Sequence, residues 1–150
     1  MAIIPEIQAY LDTVTAAFVD ISQVWLFGSR ANGTAKDSSD WDFFVFANAN
    51  VLHALRCDRW FQRTDVDLLI VTDGDNFECP WERSDFPGSF KRGHLMPRRI
   101  PNVGYALGFD WRFIDDVSAV YTITRMGYYR TLQSVRVFTR ESLHSGDPPG

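Results

Sequence analysis

Asp40 and Asp42 flank a single tryptophan, and ten intervening residues separate Asp40 from the pair Gly28-Ser29. The aspartates open an apolar run, Phe43-Phe44-Val45-Phe46, that reads as a β-strand. Strand side chains alternate faces, so Asp40 and Asp42 project from one side and Trp41 from the other. Two carboxylates about 7 Å apart along a strand repel each other unless a cation sits between them. Hard divalent cations such as Mg²⁺ take oxygen ligands of this kind and commonly share them with substrate phosphates. Gly28 and Ser29 offer unobstructed backbone N–H groups and a hydroxyl suited to those phosphates. The chemistry implied is a phosphate cradle facing a metal-binding pair of carboxylates. The bland alternative makes Asp40 a strand cap and pairs Asp42 with an arginine. It would put two same-face acids at the mouth of an apolar strand, which is costly.

The surrounding elements decide whether these groups can meet. Residues 5–19 show apolar side chains at helical spacing, with Pro5 suited to a first turn, and predict an amphipathic helix covering one face of a sheet. Val24–Phe27 reads as a buried first strand ended by Gly28, and residues 29–39 as a polar excursion with one helical turn at Ser29–Ala35. Asp40–Phe46 is the second strand, residues 49–57 a second helix, and Thr64–Val71 a third strand carrying Asp65 and Asp67 on one face. A helical crossover makes the second and third strands parallel. The short link between the first two makes them antiparallel. All these polar features then converge at one edge of the sheet.

The signal changes after residue 72. From Asp73 to about Gly104 the chain is rich in Gly, Pro and mixed charge and reads as a long loop region. Val117–Thr124 and Ser134–Thr139 read as strands with a turn near Gly127, and the tail from His144 as disordered. Arg83, Lys91, Arg92, Arg98 and Arg99 form a loose basic region interleaved with Trp81, Phe86 and Phe90. A solvated loop is the favoured account of it, with a nucleotide or polyanion site as the alternative. Asp73-Gly74-Asp75 is a turn without calcium-loop spacing, and His53, His94 and His144 show no paired metal spacing.

At 150 residues with a formal charge of −4, the chain suits one soluble domain with its own core, and the acidic balance argues against general nucleic-acid coating. Cys57 and Cys79 read as separate reduced thiols. No signal peptide or run long enough to span a membrane is visible, so the cytoplasm is the expected compartment.

Gly28-Ser29, the ten-residue spacer and Asp40-Trp41-Asp42 inside a strand resemble the signature of the nucleotidyltransferase superfamily with the DNA polymerase β-like fold. The segment GSRANGTAKDSSDWDFFV looks most like the minimal nucleotidyltransferases, and the likeness covers about residues 22–72. The resemblance implies an α+β fold: a mixed β-sheet with helices packed on one face, as in a polymerase β palm. A C-terminal extension of strands and loops would follow. It divides the chain into a single domain over 1–145, with a recognisable core at 5–72, an unassigned extension at 73–145 and a disordered tail at 146–150.

The same resemblance implies transfer of a nucleoside monophosphate from an NTP such as ATP to a hydroxyl acceptor. That acceptor would be a small molecule, a protein side chain or an RNA end. Two Mg²⁺ ions, or Mn²⁺ in their place, would be held by Asp40, Asp42 and Asp67. Asp65 shares the face of Asp67 and stays open as a ligand. Gly28 and Ser29 would hold the β- and γ-phosphates. Arg30 reads equally as a triphosphate contact or a solvated helix residue. Two other functions fit the resemblance: an antitoxin-type binding module acting on a small helical partner protein, and a nucleotide-binding protein without transfer activity.

Overall fold

The computed structural model describes residues 3–82, 91–96, 99–100, 104–105, 108–123 and 131–140. The turn near Gly127, the tail from His144, and Arg83, Phe86, Phe90 and Arg98 lie outside them.

Helix α1 (Pro5–Ala17) begins with Pro5 in its first turn, where the missing N–H costs nothing, and buries Ile7, Leu11 and Val14. Strand β1 (Gln23–Phe27) leads through Gly28 into a single helical turn, α2 (Ser29–Asn32), and then into β2 (Trp41–Phe46). Helix α3 (Ala49–Cys57) follows, capped by the Asn48 side chain, which accepts from the backbone N–H groups of Asn50 and Val51. A 3-10 turn at Arg59–Phe61 precedes β3 (Val66–Val71). The strand pairing is as the linkers predict: β1 and β2 antiparallel, β2 and β3 parallel. Asp40 lies one residue before β2, and Asp65 one residue before β3.

The region past residue 72 is richer in strands than its composition suggests. It supplies β4 (Asn76–Glu78), β5 (Arg92–His94), a two-stranded ladder of β6 (Arg99–Ile100) with β7 (Gly104–Tyr105), then β8 (Phe109–Phe113), β9 (Ser118–Ile123) and β10 (Thr131–Thr139). The expectation of a long loop over residues 73–104 is thereby corrected. Its strands are two or three residues long, too short for alternation to be visible among Gly, Pro and charge.

Apart from β6 and β7, these strands join one mixed sheet in the order β5-β4-β3-β2-β1-β10-β9-β8. The sheet curls until its outer strands touch: Gly108 bridges His94, and the Trp111 N–H donates to the Leu95 carbonyl at 3.1 Å.

Period-two alternation sorts the core into two sides. Val24, Leu26, Phe43, Val45, Leu68 and Ile70 face α1 and α3, as the expectation of helices on one face requires. Trp25, Phe27, Phe44, Leu69 and Val71 face the inside of the curl, packed with Phe77, Phe109, Trp111 and Tyr121. The aromatic rings there meet mostly edge to face, as between Phe44 and Phe109 at 5.2 Å and Trp25 and Trp111 at 5.7 Å. Arg140, just past β10, donates to the carbonyls of Phe18 and Ile21 at 3.1 Å each and to that of Thr15. A cation so placed complements the negative end of α1 and fastens the last described strand to the first helix. Among the described residues no helix is long and apolar enough to cross a membrane.

Candidate active site

The site is built where β1 ends and β2 and β3 begin. Phe27 lies opposite Asp42 in the antiparallel register, and Asp42 lies beside Asp67 in the parallel one. Alternation puts both acids on the side of Phe44 and Leu69, away from the helices. Parallel neighbours in register leave the two carboxylates side by side. The result is one carboxyl pushed up: Asp42 rises from 3.8 to about 7. Burial is the main cause, and the Asp67 charge and the hydrogen bond to Asp67 add to it, while the Lys91 ammonium opposes it.

Gly28 adopts φ +78°, a left-handed conformation that favours glycine, and turns the chain against the Asp42 carboxylate. Its N–H donates to the Tyr121 hydroxyl at 2.9 Å. Asn32, in the turn that follows, donates through its side-chain amide to the Gly28 carbonyl at 2.7 Å and accepts the Gln133 N–H at 2.8 Å. The cradle is therefore tied to β9 and β10, elements a hundred residues away in sequence. Burial holds the Tyr121 hydroxyl above its ordinary range, and the Gly28 and Asn32 donors work the other way.

A cavity of about 340 Å³ opens at this place. Gly28, Ser29, Asn32, Asp42 and Lys91 give it polar walls, and Phe109, Tyr121 and Ile123 give it apolar ones. Lys91 stands at the entrance to β5 with its Nζ 3.7 Å from Asp67 Oδ2.

The remaining candidates take different places. Asp40 is exposed on the loop before β2, close enough to add slightly to the rise of Asp42. Asp65 is gripped by the Arg63 guanidinium, both oxygens at 2.8 Å, and Arg63 also reaches Glu6 at 3.1 Å. That hydrogen bonding holds the Asp65 carboxyl below its usual range. The Arg30 guanidinium donates to the Ser39 carbonyl at 2.9 Å and the Asp37 carbonyl at 3.2 Å, and lies 4.5 Å from the centre of the Trp41 ring. It braces the loop that delivers Asp40 and Asp42. Asp73 closes its turn by accepting from the N–H groups of Asp75 and Asn76, with Gly74 at φ +86°.

The donor set can be tested against a divalent cation. Two carboxylates forced side by side, one of them raised toward neutrality, form a hard oxygen site that a dication would relieve. Asp42 and Asp67 fit that role. Among the described residues no three His, Cys, Asp or Glu side chains come together around one point. Lys91, Asn32 and Tyr121 were not singled out for this site by sequence, and only Lys91 had any signal, as part of a loose basic stretch.

Comparison with known proteins bears on the first part of the chain. The family model described as "Polymerase beta, Nucleotidyltransferase" matches residues 6–64, the stretch holding α1, Gly28-Ser29, Asp40 and Asp42. A crystal structure of a Sulfolobus solfataricus protein, named provisionally as a nucleotidyltransferase, shares 22% identity. The match covers 67% of this chain and 83% of that one, with a TM-score of 0.38, and says nothing about substrate. A search of curated proteins returns no match.

Proposed function

We propose that this chain, whose residues 6–64 match the polymerase β nucleotidyltransferase family model, is a Mg²⁺-dependent enzyme moving a nucleoside monophosphate from an NTP to a hydroxyl acceptor. One observation carries the reading: Asp42, paired in register with Asp67 of the neighbouring strand, stands beside the left-handed Gly28 in the wall of an open cavity. A structural ion pair would not place two carboxylates against each other.

In this reading Asp42 and Asp67 hold Mg²⁺, and Asp40 lends negative charge nearby. When bound, the ion lowers the pKa of an acceptor hydroxyl and offsets charge on the phosphates. Ser29 receives the β- and γ-phosphates through its N–H and hydroxyl, and Gly28, whose own N–H is held by the Tyr121 hydroxyl rather than unobstructed, lets the backbone come close. Phe109, Tyr121 and Ile123 supply the apolar walls that shield the reacting phosphate from water. The acceptor oxygen bonds to the α-phosphorus and its proton passes to Asp67. The bond to the bridging oxygen breaks, and pyrophosphate leaves with the electron pair.

The test is incubation with each of the four NTPs labelled at the α-phosphate, with and without Mg²⁺, following pyrophosphate release and label on protein or added acceptor. Mg²⁺-dependent turnover or self-labelling that disappears in Asp42→Ala is the expected result. Silence with all four NTPs, or activity indifferent to Asp42→Ala, would overturn the proposal.

A further inference from the structure

Lys91 has no place in the reading so far, yet it lines the same cavity as Gly28, Ser29 and Asp42. It is one of only two lysines in the chain, the other being Lys36, so it does not belong to a diffuse lysine-rich surface. Its backbone is fixed, because the Lys91 carbonyl accepts the N–H of the buried Cys79 at 2.8 Å and prolongs the β4–β5 ladder. From that anchor the side chain brings its Nζ to 3.7 Å from Asp67 Oδ2. The separation exceeds a hydrogen bond, so the ammonium neutralises Asp67 without spending its donors on it.

We infer that Lys91 is a catalytic cation of this site, contacting the triphosphate and supplying the positive charge that a second divalent ion would otherwise supply. The inference rests on the transferase reading and departs from the expectation of two ions. Two divalent ions held by three carboxylates leave one positive charge in excess for the triphosphate. Here Asp42 and Asp67 adjoin with no third ligand-type side chain completing a cluster among the described residues. One divalent ion against Asp42, Asp67 and the nearby Asp40 leaves one negative charge over, which the Lys91 ammonium offsets. A compact ammonium with three donors on a flexible stem suits phosphate oxygens as a point charge. No bond forms to Lys91; it holds charge while the phosphoryl group moves.

The experiment uses tripolyphosphate, which carries the three phosphates and no base, so the unknown base preference does not enter. Its affinity is measured calorimetrically with Mg²⁺ for the wild type, Lys91→Met, Lys91→Arg and Asp42→Asn. Lys91→Met should weaken binding about tenfold or more, and Lys91→Arg, which keeps the charge, by no more than about threefold. With Mn²⁺ in place of Mg²⁺, electron paramagnetic resonance of the wild-type complex should show isolated ions. Wild-type affinity in a folded Lys91→Met protein, or the spectrum of a spin-coupled Mn²⁺ pair in the wild type, would overturn the inference. A wild type that ignores tripolyphosphate, with Mn²⁺ binding indifferent to Asp42→Asn, would remove the transferase reading and this inference with it.

Discussion

A Cβ atom added to Gly28 would lie 2.3 Å from Asp42 Oδ2. The contact is closer than real side chains tolerate, and the residue it meets is the carboxylate that pairs with Asp67. Glycine here does two things at once. It permits φ +78°, and it leaves the space in which Asp42 stands.

Gly28→Ala is therefore expected to expel the Asp42 carboxylate from its place beside Asp67. Turnover should fall by about a hundredfold or more, while the strained backbone costs about 1–3 kcal/mol of stability. Mn²⁺ titration should show weakened binding in a protein that still melts cooperatively. Unchanged metal affinity would mean that the carboxylate finds another route to its partner.

Asp42→Asn should separate stability from activity. An amide removes the buried like-charge contact with Asp67, so the metal-free protein at about pH 8 should melt higher, on the order of 3 °C. Nucleotidyl transfer should be lost. Calorimetric scans in chelator, beside the labelled-NTP assay, check both halves of the expectation.

The raised Asp42 also sets a pH dependence. Between 3.8 and about 7 the folded protein keeps a proton on Asp42 that the unfolded chain has released. The folded form then binds more protons than the unfolded one, so stability falls as pH rises through this window. Thermal melts in chelator from about pH 4 to pH 8 should show this decline in the wild type and a smaller one in Asp42→Asn. Added Mg²⁺ should restore stability above about pH 7, where the carboxylates are free to take it.

Arg30 should behave as a positioning residue. Arg30→Met removes hydrogen bonds to the Ser39 and Asp37 carbonyls and the stacking on Trp41. A loss of about 1–2 kcal/mol of stability is expected, with kcat lowered more than KM because the loop into Asp40 and Asp42 loosens. Arg30→Lys should recover little, since a lysine cannot reproduce the fork or the stacking. A rise in KM alone would place Arg30 on the triphosphate instead.

The edge that carries the candidate site was legible because its determinants are local. Apolar runs ended by Gly28 or begun by Asp42 and Asp67, joined by one short link and one helix, admit few topologies, and α3 falls on residues 49–57 as its periodicity predicts. Parallel register then brings Asp42 to Asp67 without further information. The cavity's other wall is a different matter. Tyr121 reaches Gly28, and Lys91 reaches Asp67, only through a sheet that curls until His94 meets Gly108. Pairing between distant strands leaves no spacing to read, and a lone lysine among Gly and charge carries no periodic signal. Arg30 shows the converse: its neighbours in sequence left a phosphate contact and a solvated position equally open, and its neighbours in space are carbonyls of its own loop.

β1 lies between β2, which follows it within twenty residues, and β10, whose residues 131–139 are the last described strand. During synthesis one flank of β1 must wait until residues 131–139 have emerged, with Trp25 and Phe27 lacking the cover they later receive from β8 and β9. Assembly of such non-local pairings is slow and exposes the growing chain to aggregation. A fragment ending near residue 72, although it holds every acid of the candidate site, is expected to stay unfolded until the remainder joins it.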